Sequence, residues 1–446
     1  MIVMKFGGTS VGTAERFLNV AKLIQGKISQ KLVVVVSAVG GITNLLLQAG
    51  EESLRLEPSI SKQEEFPASL KRIYEIHDEI LKFLQLDPEF FQKFYVELSE
   101  IYKGISLLKE FSPRARDLVS SYGERISARI LAACLQKLKI NAQAVDAWDA
   151  GFITTNDFTN ARLLPDSPHK LNEAIGKMNF LPVITGFIGK SREGHITTIG
   201  RGGSDFSASL IGAAVQAGII EIWTDVSGIM TSDPRLAPQA KPLDSLSFQE
   251  AAELSYFGAK ILHPKTIEPA MRKKIPVLVK NSFKPEEPGT LILPESEKEP
   301  GLKAVTLKRG IVRVNLYSSG MLEAPGFLSR VFKIFEKHEI SVDVIATSEV
   351  NVSLTLDHAD GLEKAVSELS EFADVEVERD RAIICLVGEG LKQTPGIAGR
   401  VFKILGDACI NIEMISQGAS QINLTFVVRS SDSDKAVKLL HREFFE

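Results

Sequence analysis

At 446 residues the chain is too long for one ordinary hydrophobic core, so two or three domains are expected. With 44% hydrophobic and 24% charged residues it reads as globular, which excludes a disordered or fibrous chain. A formal net charge of −4 and a pI near 6.1 leave no global basic field, so nucleic acid and anionic membrane surfaces are not expected partners, and any anionic ligand must be met by a local site.

The chain passes from Met1 straight into a strand-like Ile2 to Phe6, with no charged segment followed by an apolar one as a secretory leader would have. The longest apolar run, Leu32 to Val36 extending to Val39, is far below the roughly 20 residues needed to cross a bilayer. Cys134, Cys385 and Cys409 are odd in number and lack metal-type spacing, so they read as small buried hydrophobes in a reducing compartment. A cytoplasmic location is expected.

Short β-branched runs alternate with helical patterns over the first 295 residues, the signature of an α/β domain with a largely parallel sheet. The expected strands are Ile2 to Phe6, Leu32 to Ser37, Ala142 to Asp146, Leu181 to Gly186, Ile219 to Thr224 and Pro276 to Lys280. A charged, apolar-periodic stretch from about Ser61 to Leu108 reads as helices standing off the sheet. Pro294 to Gly301, rich in Pro, Glu and Lys, reads as a linker.

The remainder is an internal repeat with an offset of 70 residues. Pro325-Gly326 recurs as Pro395-Gly396, Arg330 to Ile334 as Arg400 to Ile404, Ile345 as Ile415, and Leu354-Thr355 as Leu424-Thr425. Each copy reads strand (Val312 to Tyr317), turn, helix (Phe327 to about His338), two strands (Ser341 to Thr347, Asn351 to Leu356) and helix, the ferredoxin-like βαββαβ order. The second copy ends too soon after its last helix to hold its own final strand, so the copies are expected to share strands. Domain limits of 1–295, 296–379 and 380–446 follow.

Several motifs carry chemistry. Lys5-Phe6-Gly7-Gly8 lies where a strand gives way to a helix, with Thr13 as its N-cap and Phe17, Val20 and Ile24 as its buried stripe. Two glycines admit an oxygen-rich ligand to the backbone, the helix start offers N–H groups, and Lys5 adds a mobile charge on the loop. The spacing is neither that of a Walker A loop nor that of a protein-kinase glycine loop, and a Gly pair after a strand also serves as a plain tight turn. Gly200 to Asp205 places Arg201, Ser204 and Asp205 on a glycine-rich turn before a helix from Phe206 to Ala217. Arg201 can grip a carboxylate there, while Asp205 is equally readable as a helix cap. Ser37 and Thr43 after the second strand, Gly123-Glu124-Arg125, Thr224-Asp225 after a later strand, and Lys260 are further candidates, since such folds bind ligands at strand ends. His263 reads as a packed or capping residue.

Taken together, Lys5 to Ser10, Ser37 to Leu46, Gly200 to Asp205, Trp223-Thr224-Asp225 with Asp233-Pro234-Arg235, and Phe257 to Pro264 resemble the aspartate kinases of the amino acid kinase superfamily, and the repeat resembles their tandem ACT domains. Ser341 to Val350 is similar to the monofunctional, lysine-sensitive type. The resemblance implies a three-layer α/β catalytic domain followed by two ferredoxin-like ACT domains. It also implies transfer of the γ-phosphoryl of ATP, with Mg²⁺, to the β-carboxylate of L-aspartate, the first step toward lysine (through diaminopimelate), threonine and methionine. Lys5, Gly7, Gly8 and Asp205 would then be catalytic, and Thr43, Glu124, Phe187, Arg201 and Ser204 would hold aspartate. Ser37, Thr224, Asp225, Arg235 and Lys260 would hold the nucleotide. An amino-acid effector, lysine by this resemblance, would meet Met321, Phe327, Leu328, Ser341, Val342 and Asp343, with Asp343 facing its ammonium. A bare solvated strand residue is the other reading of Asp343. A homodimer or larger homo-oligomer is implied, with no protein metal site. Two departures stand out: Met230 replaces an expected Tyr near the nucleotide, and Glu323 and Ala324 replace an expected His and Ser, which keeps diaminopimelate open as effector. The rival readings are a superfamily member acting on glutamate, acetylglutamate or UMP, and a non-catalytic amino-acid sensor.

Overall fold

The computed structural model describes residues 1–56, 66–258, 262, 264–295, 301–321, 325–391, 394–418 and 422–446. They form two compact units, Met1–Ile229 with Ile261–Pro294, and Met230–Lys260 with Glu295–Glu446.

In chain order the first unit begins with β1 (Ile2–Phe6), α1 (Ala14–Gln25), β2 (Leu32–Val36), α2 (Ile42–Ser53), α3 (Ala68–Leu84), α4 (Glu89–Leu108) and α5 (Pro113–Lys137). It continues through β3 (Ala142–Val145), β4 (Ile153–Thr154), α6 (Ser167–Lys177), β5 (Leu181–Thr185), β6 (Ile188–Ser191), β7 (Ile196–Thr198), α7 (Gly203–Ala214) and β8 (Ile219–Thr224). The chain then enters the second unit for β9 (Ser245–Ser247) and α8 (Phe248–Tyr256), and returns for α9 (Pro264–Arg272), β10 (Val277–Asn281) and β11 (Thr290–Leu293).

The main sheet of this unit runs β3-β5-β2-β1-β8-β10-β11, parallel except for β11. Every residue of β1, β2 and β5 is buried, as expected of strands covered on both faces, and their apolar runs are broken only by Lys5 and Thr185 at the C-terminal ends of β1 and β5. Thr13 caps α1 by accepting from the Arg16 N–H, and Phe17, Val20 and Ile24 are buried beneath it. The six expected strands are present within a residue at each end. A second, three-stranded sheet, β4-β6-β7, was not expected, because its strands are two to four residues long and carry no clear alternation. The stretch from Ser61 to Leu108 holds two helices, with residues 57–65 outside the described set. The linker reading of Pro294 to Gly301 also falls largely on residues outside it.

The second unit continues with β12 (Ala304–Tyr317), α10 (Phe327–Lys337), β13 (Ile345–Thr347), β14 (Asn351–Leu356), α11 (Leu362–Leu369) and β15 (Asp374–Val387). It closes with α12 (Ile397–Asp407), β16 (Met414–Ser416), β17 (Asn423–Arg429) and α13 (Ser430–Phe445). These strands make one six-stranded sheet, β13-β14-β12-β15-β17-β16.

Strand sharing takes a specific form. The C-terminal half of β12 (312–317) pairs with β14 and with the first half of β15, completing the first ferredoxin-like copy. The N-terminal half of β12 (304–309) pairs with the second half of β15, supplying the strand that the second copy lacks. Accordingly Val305 packs in the same core as Ile384, Phe426 and Leu440. A register shift between Arg309 and Arg313 marks the junction. Pairing also corrects the repeat. Val312 faces Leu356 and Ala382 faces Val428, so the offset of 70 becomes 72 in the third strand, and Leu354-Thr355 is not the structural equivalent of Leu424-Thr425. A slip of two residues restores each side chain to its face, which is why the sequence match conceals the longer hairpin.

A fragment of residues 380–446 should therefore stay unfolded by circular dichroism, because it lacks the 304–309 strand, whereas a fragment of residues 301–446 should fold.

Candidate active site

The C-terminal ends of β1, β2 and β5 open into a cavity of about 630 Å³. Its walls include Lys5, Gly8, Ser37, Thr43, Glu124, Phe187, Arg201, Ser204 and Asp205, residues brought from five separate stretches of chain.

Lys5 is the fourth residue of β1 and is only 7% exposed, so it is not the mobile loop charge the sequence suggests. Its Nζ lies 2.5 Å from Asp205 Oδ1. Asp205 sits in the first turn of α7, which begins three residues earlier than expected, and the N-cap is Gly202, so Asp205 is an ion-pair partner and not a cap. Gly8 leaves room for the loop after β2, since a Cβ there would come within 2.9 Å of the Ala38 carbonyl oxygen. The helices α2 and α7 both begin behind glycine caps, Gly41 and Gly202, that offer no side-chain acceptor. At α2 the Ile42 N–H is taken by the Val39 carbonyl at 3.0 Å, so what both helix starts offer an anionic ligand is chiefly the positive end of the helix dipole.

Glu124 is not at a strand end. It lies within α5, a 25-residue helix started by Ser112 and Pro113. A Cβ at Gly123 would fall 2.7 Å from Ala38 Cβ, so glycine lets the helix press against the loop after β2. That approach lets the Ala38 N–H donate to Glu124 Oε1 at 3.1 Å, while Oε2 is buried with no hydrogen-bond partner among the described residues. Burial pushes the carboxyl up to about 8, against the smaller opposing effect of backbone hydrogen bonds. Phe187 holds a left-handed backbone (φ 64°), secured by its N–H donating to Ser207 Oγ at 2.9 Å, and it packs over Gly203, where a Cβ would meet the ring at 2.4 Å. Ser204 is buried, whereas Arg201 is exposed and makes no ion pair among the described residues.

Other expected residues lie outside this cavity. Thr224 and Asp225 end β8, where the Thr224 hydroxyl donates to Asp225 Oδ1. Sequence reasoning passed over their neighbours in β10: the Ser282 N–H and hydroxyl both donate to the Thr224 carbonyl, and Asn281 Nδ2 donates to Ser227 Oγ. The signal was the polar Asn281-Ser282 step closing an apolar strand. Arg235 belongs to the second unit and is held by Asp233. Lys260, Glu323, Ala324 and His263 lie outside the described residues. Arg116, Asp117, Ser120, Thr159 and Thr198 also line the cavity and were missed. Asp117 was findable, being two helical turns before Glu124 on the same face of α5.

In the second unit Met321, Phe327 and Val342 pack against the first repeat's core, while Leu328 and Ser341 are exposed. Asp343 is not the solvated strand residue of the simpler reading. It precedes β13, its side chain is 2% exposed, and Oδ1 accepts from the Tyr256 hydroxyl at 2.6 Å. Lys308 Nζ is 3.6 Å from Asp343 and 2.6 Å from Asp357, and Oδ2 of Asp343 has no hydrogen-bond partner among the described residues. Desolvation pushes the Asp343 carboxyl up to about 6. Of the three cysteines, Cys134 and Cys385 are buried but Cys409 is exposed, correcting the uniform expectation.

Residues 1–281 match the amino acid kinase family, and residues 314–371 and 384–444 match the ACT domain. Aspartokinase 1, chloroplastic, of Arabidopsis thaliana is 42% identical over all of this chain and 80% of its own length. The crystal structure of Escherichia coli aspartokinase III with aspartate and ADP is 36% identical, covers 100% of both chains and superposes with a TM-score of 0.85. The same E. coli protein with lysine and aspartate gives a TM-score of 0.78 at 36% identity, again over 100% of both chains.

The folded-state pKa of Glu124 is raised, so its contribution to stability is fully present below about pH 4.5 and lost as pH rises through about 8. Glu124→Gln should abolish that loss. Its melting temperature relative to the parent should climb from pH 4.5 to about 8 and then level off, as read by thermal unfolding across that range.

Proposed function

The chain belongs to the amino acid kinase family, within it to the aspartokinases, and on that premise we propose that this cavity is where the γ-phosphoryl group of ATP passes to the β-carboxylate of L-aspartate, giving 4-phospho-L-aspartate. The observation that carries the reading is the open Glu124 oxygen and the unpaired Arg201 on the walls of one cavity. A buried carboxylate with an unmet acceptor calls for a cation, and an arginine without a partner calls for an anion. A zwitterionic amino acid supplies both on one carbon.

Glu124 takes the ammonium, Arg201 and Ser204 take the α-carboxylate, and Thr43 and Phe187 flank the side chain, so the β-carboxylate is turned toward Lys5. Acceptor and γ-phosphate are both anions, and their approach needs positive charge fixed in place beforehand. Lys5 provides it together with the Gly8 amide, whereas the expected Gly7 N–H is taken by the Trp223 carbonyl at 3.1 Å, and Asp205 fixes where Lys5 points. No general base is required, because a carboxylate is already ionised at neutral pH. Thr224 and Asp225 face the nucleotide, Ser37 stands beside the phosphates, and Mg²⁺ enters on those phosphates as part of the substrate.

The ACT repeats bind an amino-acid effector, lysine, for which the lysine complex of the E. coli relative is the support. Met321, Phe327, Leu328, Ser341, Val342 and Asp343 form its site, with the free Asp343 oxygen receiving an ammonium. The regulatory sheet ends in β13 and β16, each with one hydrogen-bonded neighbour among the described residues, and such edges favour a homo-oligomer, most simply a dimer. Among the described residues no helix is long and apolar enough to cross a membrane, and the two buried thiols suit the reducing cytoplasm.

In a coupled assay, aspartate should be phosphorylated while glutamate and UMP are not. Lys5→Met should lower kcat by about 10²–10³-fold. It should also lower the melting temperature, since Asp205 is left without its counter-charge. Lys5→Met/Asp205→Asn should recover stability but not turnover, and recovery of both would refute the role of Lys5. Asp343→Ala should raise the inhibitory lysine concentration about tenfold, roughly 1.4 kcal/mol, with uninhibited kcat unchanged, in an enzyme that sediments as a dimer. Inhibition as tight as in the parent would remove Asp343 from the effector site.

A further inference from the structure

Asp117 is a carboxylate that the reaction does not call on, yet it sits at the wall of the reaction cavity with 1% of its surface exposed. Its Oδ1 accepts from the Thr198 hydroxyl at 2.7 Å, and Oδ2 accepts from the N–H groups of Thr198 and Thr159 at 2.9 Å each. Three donors therefore converge on one side chain from two otherwise separate places, the end of β7 and the loop before Ala161. The loop needs such a hold, because Thr159 keeps a left-handed backbone (φ 68°) that a β-branched residue resists. The two places are also joined directly, as the Ala161 N–H donates to the Thr198 carbonyl at 2.9 Å.

What they hold is the base of the Arg201 turn. Gly200 follows one residue after Ile199 in a left-handed conformation (φ 81°), and a Cβ there would lie 3.2 Å from Asn160 Oδ1 and 3.4 Å from the Thr159 carbonyl oxygen. Gly200 is thus seated on the Thr159–Asn160 loop, and that loop is seated on Asp117. Because α5 also carries Glu124, one helix fixes both ends of the α-amino-acid grip.

We propose that Asp117 is the positioning residue for Arg201, setting through Thr198 and Thr159 the place of the guanidinium that binds the α-carboxylate of aspartate. The proposal rests on the assignment of Arg201 above. A carboxylate suits the task because both of its oxygens accept and so take all three donors with a full charge, whereas Asn offers one acceptor oxygen for the two N–H groups and must reverse the bond to the Thr198 hydroxyl.

The test is steady-state kinetics of the full chain with L-aspartate and with its α-amide, which offers Arg201 no carboxylate, as substrate or as competitor. Asp117→Asn should raise the KM for aspartate at least about tenfold while the KM for ATP changes less than about twofold. Its effect on the α-amide should shrink below about threefold, since the contact it supports is already missing. Thr198→Val, which removes only the hydroxyl donor, should show the same selectivity at smaller size, and it decides the matter if Asp117→Asn does not fold. Equal losses with aspartate and its α-amide, or a KM for ATP that rises in step, would overturn the proposal and leave Asp117 a general structural residue. Arg201→Ala keeps the two assignments apart. If it too penalises both acceptors equally, the Arg201 reading fails and this one with it, whereas if it spares the α-amide and Asp117→Asn does not, only the present proposal falls.

Discussion

The structure of the catalytic unit turns on one nearly buried ion pair, Lys5 with Asp205, which ties the first strand of the chain to the first turn of α7. Burying two charges is expensive, and a pair of this kind is seldom retained for stability alone. Here it fixes a cation at the C-terminal edge of a parallel sheet, beside two helix starts capped only by glycine. The neighbouring glycines follow from the same constraint. Gly8 leaves room for the loop after β2, and Gly203 for the ring of Phe187.

The acceptor side is built differently, from a helix pressed into the sheet edge. Gly123 brings α5 against Ala38, and the helix then delivers Glu124 and Asp117 from one face. Glu124 keeps an unmet oxygen, the kind of local frustration that a binding site carries and a ligand relieves. Asp117 is fully engaged. The contrast is between a buried carboxyl with an oxygen to spare and one whose two oxygens are both engaged.

In the second unit the governing device is a pair of fourteen-residue strands, β12 and β15, each serving both ferredoxin-like copies. Neither copy closes its sheet without the other, so the two regulatory repeats form one body. The segment from Met230 to Lys260, which follows the end of β8 in sequence, is counted in that body as well: the Thr231 carbonyl accepts from the Val305 N–H, and Tyr256 is bonded to Asp343. The chain therefore leaves the first unit a few residues past Thr224 and Asp225 and enters the second.

The sequence carried the main elements and many of the residues that line the cavity. Parallel strands buried on both faces must be written as apolar runs, so β1, β2, β5 and β8 were legible. Glycine-rich turns that carry a charge mark places where backbone and ligand meet, so Lys5, Arg201 and Asp205 were legible too. Tertiary structure decided what depends on distant partners. Lys5 is a buried pair and not a loop charge because Asp205 is folded over it, and Glu124 reaches the cavity from mid-helix because Gly123 lets α5 approach. Asp117 gains its role from donors on two other segments. The second repeat borrows a strand that precedes the first, and its two-residue slip is hidden by the period of a β-strand, which returns every side chain to the same face. Local pattern records burial and periodicity, but it does not record which remote segment supplies the neighbour.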